Sequence, residues 1–134
     1  MLHLKNTIKQ SKAKIFKTKK FSKIADKACI FEADLCKAIS QVMVGQVVDL
    51  GGGVYKKRLN SNAHRSIILS KGAKFWIFQH LFAKNETGNL EDDELVTLRS
   101  LAKAYENLSP EQLYLLISSK DLQEICYENQ EIQK

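Results

Sequence analysis

The sequence predicts a single α+β domain in which two N-terminal helices pack on a small antiparallel sheet of three to four strands, followed by C-terminal helices. Three observations lead there. Apolar residues recur at helical spacing before residue 45 and again after residue 88. Between these regions a strand-prone block opens on Gly51-Gly52-Gly53 and carries period-two patterning. The chain has 134 residues, with 44% hydrophobic and 27% charged, which is the size and balance of one globular domain with a modest core and excludes disorder throughout.

Residues 1–13 are polar, Lys-rich and without clear periodicity, and read as a mobile basic leader ahead of a domain spanning residues 14–126. Ile15-Phe16-Lys17-Thr18 is a short β-prone stretch. From Lys19 to Cys29 the residues Phe21, Ile24, Ala25 and Ala28 follow the i, i+3, i+4, i+7 period of an amphipathic helix, with Thr18 suited to cap it. Leu35, Ala38, Ile39, Val42 and Met43 repeat that period, with Asp34 near the start and Gly45 just past the end. Helices this short are marginal alone in water, so the two must share an apolar surface.

Three strand-prone segments follow, Val54 to Leu59, Arg65 to Ser70 and Lys74 to Ala83, the last two joined through Lys71-Gly72-Ala73 as a hairpin. Strict alternation in the third would set Trp76, Phe78, His80, Phe82 and Lys84 on one face and Phe75, Ile77, Gln79, Leu81 and Ala83 on the other. After Gly88, Asn89 is placed to cap a helix from Leu90 to Leu108, striped by Leu95, Leu98, Ala102, Tyr105 and Leu108. The acids Glu91 to Glu94 suit the positive end of that helix's dipole and need no catalytic explanation. Ser109-Pro110-Glu111-Gln112 has capping-box spacing with Pro at the first helical position, opening a last helix to about Glu124, and residues 127–134 form a polar tail. No internal repeat is present.

Charge is strongly asymmetric. Residues 1–84 hold 17 Lys/Arg against 4 Asp/Glu, whereas residues 85–134 hold 4 against 11. Such a basic half is an electrostatic footprint for a polyanion, most often nucleic acid, or for an acidic partner protein, unless the charges are simply scattered and solvated. No apolar run approaches the roughly 18 residues of a membrane span, and the basic N-terminus lacks the apolar stretch of a secretory signal, so a cytoplasmic protein with no membrane partner is expected. Cys29, Cys36 and Cys126 are odd in number and lack metal-site spacing, which predicts reduced, partly buried thiols and neither zinc nor another metal. No cofactor motif is present.

Gly51-Gly52-Gly53 precedes a strand rather than a helix and lacks the Lys-Ser/Thr of a phosphate loop, so it reads as a turn. His3, His64 and His80 have no ligand spacing; His80, in an apolar strand, suits a satisfied core position better than one at the sheet surface. The cations are more informative. Period two sets Lys56 and Arg58 on one strand face and Lys57 on the other, and a tight return brings Arg65 beside the pair. Lys84, closing the third strand, could complete the group. Cations gathered on a rigid sheet can bind a phosphodiester and offset the charge that develops as it reacts, without a metal, and a lysine of lowered pKa could move a proton. A solvated basic face would give the same spacing.

At these residues the chain resembles the RelE/ParE superfamily of bacterial toxins from type II toxin–antitoxin systems, closest to the HigB-like branch. The likeness runs from Ile15-Phe16-Lys17-Thr18-Lys19 through Asp49-Leu50-Gly51-Gly52-Gly53-Val54-Tyr55-Lys56-Lys57-Arg58 and Arg65 to Phe82-Ala83-Lys84-Asn85-Glu86. It continues through Asp92-Asp93-Glu94-Leu95 and the two C-terminal helices, about 110 residues in all. The resemblance implies a RelE-like fold and an endoribonuclease that enters the ribosome and cleaves mRNA, the attacking group being the RNA's own 2′-hydroxyl. It implies Lys56, Arg58, Arg65 and Lys84 as the catalytic cations and leaves the general acid and base open; on the hypothesis of such a nuclease, Lys57, His64 and Asn85 contact RNA, with His64 or His80 as candidate proton carriers. Where RelE carries an arginine after the lysine and a tyrosine a few residues on, this chain has Asn85 and Glu91. The implied partners are a cognate antitoxin, the ribosome and mRNA, with DNA reached only through the antitoxin. Gyrase poisoning, as in ParE members, and a catalytically silent antitoxin-binding or nucleic-acid-binding role are the alternatives within the fold.

Overall fold

The computed structural model describes residues 13–72, 74–85 and 90–126. Its elements in chain order are β1 (Lys14–Thr18), α1 (Lys19–Lys27), α2 (Glu32–Met43), β2 (Val48–Asp49), β3 (Val54–Leu59), β4 (His64–Leu69), β5 (Phe75–Ala83), α3 (Asp92–Glu106), α4 (Pro110–Ser118) and β6 (Leu122–Ile125). The expected leader, the tail and the Asn89 cap lie outside the described residues.

The strands form one six-stranded sheet in the order β2-β3-β4-β5-β1-β6. This corrects the small antiparallel sheet expected: β1 runs parallel to β5, so the sheet is mixed, and two further strands flank it. The segment read as the end of the last helix is β6. Helical spacing of Leu122, Ile125 and Cys126 imitated a helix continuing past residue 118, but Lys120 adopts a left-handed φ of 68° that stops it. Ser119 donates its hydroxyl to Asp121 Oδ2 at 2.8 Å across that stop.

Both faces of the sheet are covered. On one side α1 and α2 pack through Phe21, Ala25, Leu35, Ala38, Ile39 and Val42 onto Ile15, Leu59, Ile68, Phe78, Leu81 and Ile125. The two short helices therefore share one apolar surface, as their length demanded. On the other side α3 and α4 cover Phe16, Val54, Ile67, Leu69, Ile77 and Phe82 with Ala102, Leu98, Tyr105, Leu113 and Leu116. Thr18 caps α1, its Oγ1 accepting from the Phe21 N–H at 3.1 Å, and Ser109 caps α4 by accepting from Gln112 N at 3.1 Å. At α3 the N-cap is Glu91, two residues after the expected position, and its N–H donates to Glu94 Oε1 at 2.9 Å.

Two more expectations are corrected. Cys36 of α2 and Cys126, just past β6, are joined in a disulfide, and only Cys29 of the described residues is a free thiol. The fold brings together residues 90 positions apart, which no sequence spacing reveals. Strict alternation in β5 also fails: Ile67 pairs with His80 while Ile68 pairs with Phe78, leaving Gln79 as an extra residue in a β-bulge. Beyond the bulge the faces are exchanged, so that Phe82 joins Phe75 and Ile77 under α3 and Leu81 joins Phe78 under α1 and α2.

Candidate functional site

The basic residues collect where β3 and β4 turn back on each other. Arg58 of β3 is the direct cross-strand partner of Arg65 of β4, and Lys56 is the partner of Ile67. Ile67 and Val54 belong to the cluster beneath α3, so by alternation Lys56, Arg58 and Arg65 share that face of the sheet. The bulge then extends the group. Arg65 is also the partner of Phe82, and Ile67 of His80, so two rows cross the sheet: Lys56, Ile67 and His80 in one, Arg58, Arg65 and Phe82 in the next. The rings of His80 and Phe82 lie 6.2 Å apart between centroids.

Several contacts fix this arrangement. The turn Asn60-Ser61-Asn62 holds three successive left-handed residues, with φ of 56°, 52° and 74°, a conformation that asparagine tolerates better than most side chains. The Arg65 guanidinium donates from Nη1 to the carbonyls of Asn62 (3.1 Å) and His64 (3.2 Å), which ties it to the turn. Lys84 is exposed in the turn after β5, its N–H donating to Ala63 O at 2.8 Å, and Asn85 is exposed beside it. The bulge is held from two sides. Thr18 Oγ1 donates to Gln79 O at 3.3 Å, and the Tyr105 hydroxyl of α3 donates to Gln79 Oε1 at 3.2 Å. Among the described residues no carboxylate pairs with Lys56, Arg58 or Lys84.

Lys57 and His64 stand on the opposite face. Lys57 donates Nζ to Gln46 O at 2.9 Å, and burial, then the charge of Arg58, lowers its pKa. His64 lies opposite Leu59, with Nδ1 3.2 Å from Asn60 Nδ2. A cleft of about 650 Å³ runs between α2 and the β3–β4 turn, lined by Lys37, Lys57, Arg58, Asn60 and Asn62 among others. A second notch of about 280 Å³, against Gln46, Val47 and Val48, shares Lys57 and Arg58 with it and adds Lys56. Both follow the outer side of β3, which β2 covers only at Tyr55 and Lys56.

The structure thus brings Lys56, Arg58 and Arg65 together, sets Lys84 and Asn85 at the rim beside the turn, and separates Lys57 and His64 onto the other face. Sequence reasoning missed Lys20 and Glu94, whose charges reach His80 from α1 and α3, and Lys37 of the cleft. No local signal marks them, since each comes from an element distant in sequence. The glycine turn is structural. Gly51, Gly52 and Gly53 all have positive φ, and Arg99 of α3 lies over Gly51 and Gly52, donating to the carbonyls of Leu50 and Gly51. No group of three His, Cys, Asp or Glu that could hold a metal ion occurs among the described residues.

Compared with known families, residues 13–125 match the family model for the RelE toxin of the RelE/RelB toxin–antitoxin system. The chain belongs to the RelE toxin family. The match begins one residue before β1 and ends at the last residue of β6, so RelE membership covers the whole described sheet and all four helices. An antitoxin is the partner that this family implies. No curated protein matches the chain. Among the described residues no helix is long and apolar enough to cross a membrane.

Proposed function

We propose that this RelE-family toxin is a ribosome-dependent mRNA endonuclease whose basic sheet residues, not a metal, stabilise the reacting phosphate. The single observation that carries this reading is the Arg58–Arg65 pair. Like charges directly opposite each other on antiparallel strands are destabilising, and here no carboxylate among the described residues relieves them. An anion bound between them does, and guanidinium forks match the oxygens of a phosphodiester.

In this reading Arg58 and Arg65 hold the non-bridging oxygens of the scissile phosphate, Lys56 adds positive charge on the same face, and Lys84 closes the site from the rim. The RNA 2′-hydroxyl attacks the adjacent phosphorus. The charge gathering on the phosphoryl oxygens is offset by cations already in place, which is where most of the rate enhancement arises. Lys57 and Lys37, lining the cleft outside β3, would guide the flanking RNA backbone. The antitoxin neutralises the toxin by laying an acidic segment over this basic surface, and the protein works in the cytoplasm, where its substrate is.

The test is reconstituted translation with the pure protein, mapping new mRNA 5′ ends, with Arg65→Ala and ribosome-free mRNA alongside. Cuts that require both the ribosome and Arg65 support the reading. Intact mRNA and undiminished translation discard it, and supercoiling of DNA by gyrase in the presence of the protein is then the next assay.

A further inference from the structure

We propose that His80 takes the proton from the attacking 2′-hydroxyl, an inference that rests on the endonuclease reading above. The bulge is its foundation. Without it, His80 would sit on the face beneath α1 and α2 with Phe78. With it, His80 faces the same side as Lys56, Arg58 and Arg65, in the row adjacent to the two arginines. It is the diagonal neighbour of Arg65, a relationship that sets residues about 7–8 Å apart, within the span of one nucleotide's phosphate and ribose.

The fold invests in this placement. Gln79 has both its carbonyl and its side-chain amide oxygen anchored, by Thr18 and Tyr105 respectively. The Phe82 ring flanks the imidazole. The His80 imidazole has no hydrogen-bond partner among the described residues, yet no buried side-chain nitrogen or oxygen in the described structure lacks a partner. Its ring nitrogens are therefore reachable from solvent rather than sealed in the core. The expected role as a satisfied core histidine does not hold.

Its electrostatics suit a proton acceptor. Burial, and after it the ammonium of Lys20 on α1, hold the imidazole below its ordinary 6.5, with the carboxylate of Glu94 on α3 acting in the opposite sense. Arg65 shares its face from the adjacent strand β4, and Lys56 from β3 one strand further on, across Ile67. At neutral pH the ring is uncharged and one nitrogen can accept. The arginines of the cluster cannot, because a guanidinium stays protonated.

The step balances as a transesterification. The 2′-hydroxyl proton passes to an imidazole nitrogen, the 2′-oxygen forms a bond to phosphorus, and the bond from phosphorus to the 5′-oxygen breaks. The departing 5′-oxygen keeps the bonding pair and takes a proton from water. The products are a 2′,3′-cyclic phosphate and a 5′-hydroxyl, and the imidazolium returns its proton to solvent.

The experiment is single-turnover cleavage of ribosome-bound mRNA from pH 5 to 8 by the full chain, His80→Gln and Arg65→Ala, with toxin–ribosome affinity measured in parallel. Wild-type rate is expected to rise with pH along an acid limb centred below 6.5. His80→Gln is expected to bind normally, cleave about 100-fold more slowly and lose that limb. A His80→Gln rate within threefold of wild type overturns the assignment while the nuclease reading stands, provided Arg65→Ala is inactive. No ribosome-dependent cleavage by wild type overturns both. Should His80→Gln fail to fold, the wild-type profile decides alone, because a flat rate from pH 5 to 7 is incompatible with His80 as the acceptor.

Discussion

Cys36, midway along α2, is bonded to Cys126, the residue that follows β6, with Cα atoms 5.5 Å apart. The bond ties the edge strand of the sheet to the helix layer, and both residues line the cluster formed with Leu35, Ile39 and Ile125. Beside it the Cys126 N–H donates to Glu32 Oε2 at 3.1 Å. Closing 90 residues of chain removes entropy from the unfolded state, worth about 4.6 kcal/mol in the loop-entropy account. Reduction is therefore expected to lower the thermal midpoint markedly, while the sheet and helices, which rest on two apolar clusters, remain formed at low temperature. Thermal unfolding followed by circular dichroism, with and without a phosphine reductant and with Cys36→Ser, checks this; an unchanged midpoint would sink it.

The Arg58–Arg65 pair sets function against stability. Removing one guanidinium relieves repulsion across the strands, so Arg58→Ala is expected to leave folding stability unchanged or raise it by a few tenths of a kcal/mol. It should weaken RNA binding at the same time. The slope of log affinity against log salt should fall by about one unit, as one fewer phosphate is neutralised. Urea unfolding and fluorescence binding titrations at several salt concentrations give both numbers, and a clear loss of stability in Arg58→Ala would contradict a repulsive Arg58–Arg65 pair.

Gly53 carries a φ of 89°, and a Cβ built there would stand 2.7 Å from the carbonyl oxygen of Ser70. That oxygen belongs to backbone in the adjoining strand end, whose N–H donates to Gly53 O at 2.9 Å, so it cannot easily retreat. Gly53→Ala should cost about 1–3 kcal/mol, combining left-handed strain with displacement of the β3–β4 ladder. Gly45, with nothing within 4 Å of its Cβ position, serves as the control: Gly45→Ala meets only the backbone strain and is expected to cost less. Chemical denaturation of both variants orders them, and equal costs would show that the Ser70 contact does not matter.

His80 also predicts a pH dependence of folding. Its pKa in the folded chain lies below the ordinary 6.5, so the unfolded chain binds the proton more readily. This contribution to stability is present in full above pH 6.5 and is lost as pH falls through that value toward the folded-state pKa. His80→Gln should remove the contribution, leaving a flatter stability profile between pH 5 and 7. Nuclear magnetic resonance titration of the imidazole in the wild type reads the same quantity directly; a midpoint above 6.5 would contradict both the burial and the influence of Lys20.

Much of the local structure was legible in the chain. Thr18 and Ser109 cap the helices their hydroxyls suit, β3 occupies the residues its pattern marked, and the pairing of Arg58 with Arg65 follows from a tight return between two strands of alternating residues. These features depend on near neighbours, and their rules operate over a few residues. Such rules account for the starts of α1 and α4, the central hairpins, the turn role of the glycines and the basic surface, but not for where the last helix ends.

Only the tertiary structure decided the rest. β1 was marked as β-prone, but its parallel place beside β5 comes from contacts far away in the chain, and β6, whose Leu122 and Ile125 also fit a helical period, is a strand because it lies against β1. The bulge at Gln79 is invisible in β5, whose composition alternates without a break; in the fold Thr18 and Tyr105 hold Gln79 from two other elements. That one extra residue moves His80 and Phe82 to the face of the arginines and brings Lys20 and Glu94 within electrostatic reach. Period two tells which residues share a face only while the register is unbroken, and where it breaks, long-range contacts alone choose the side.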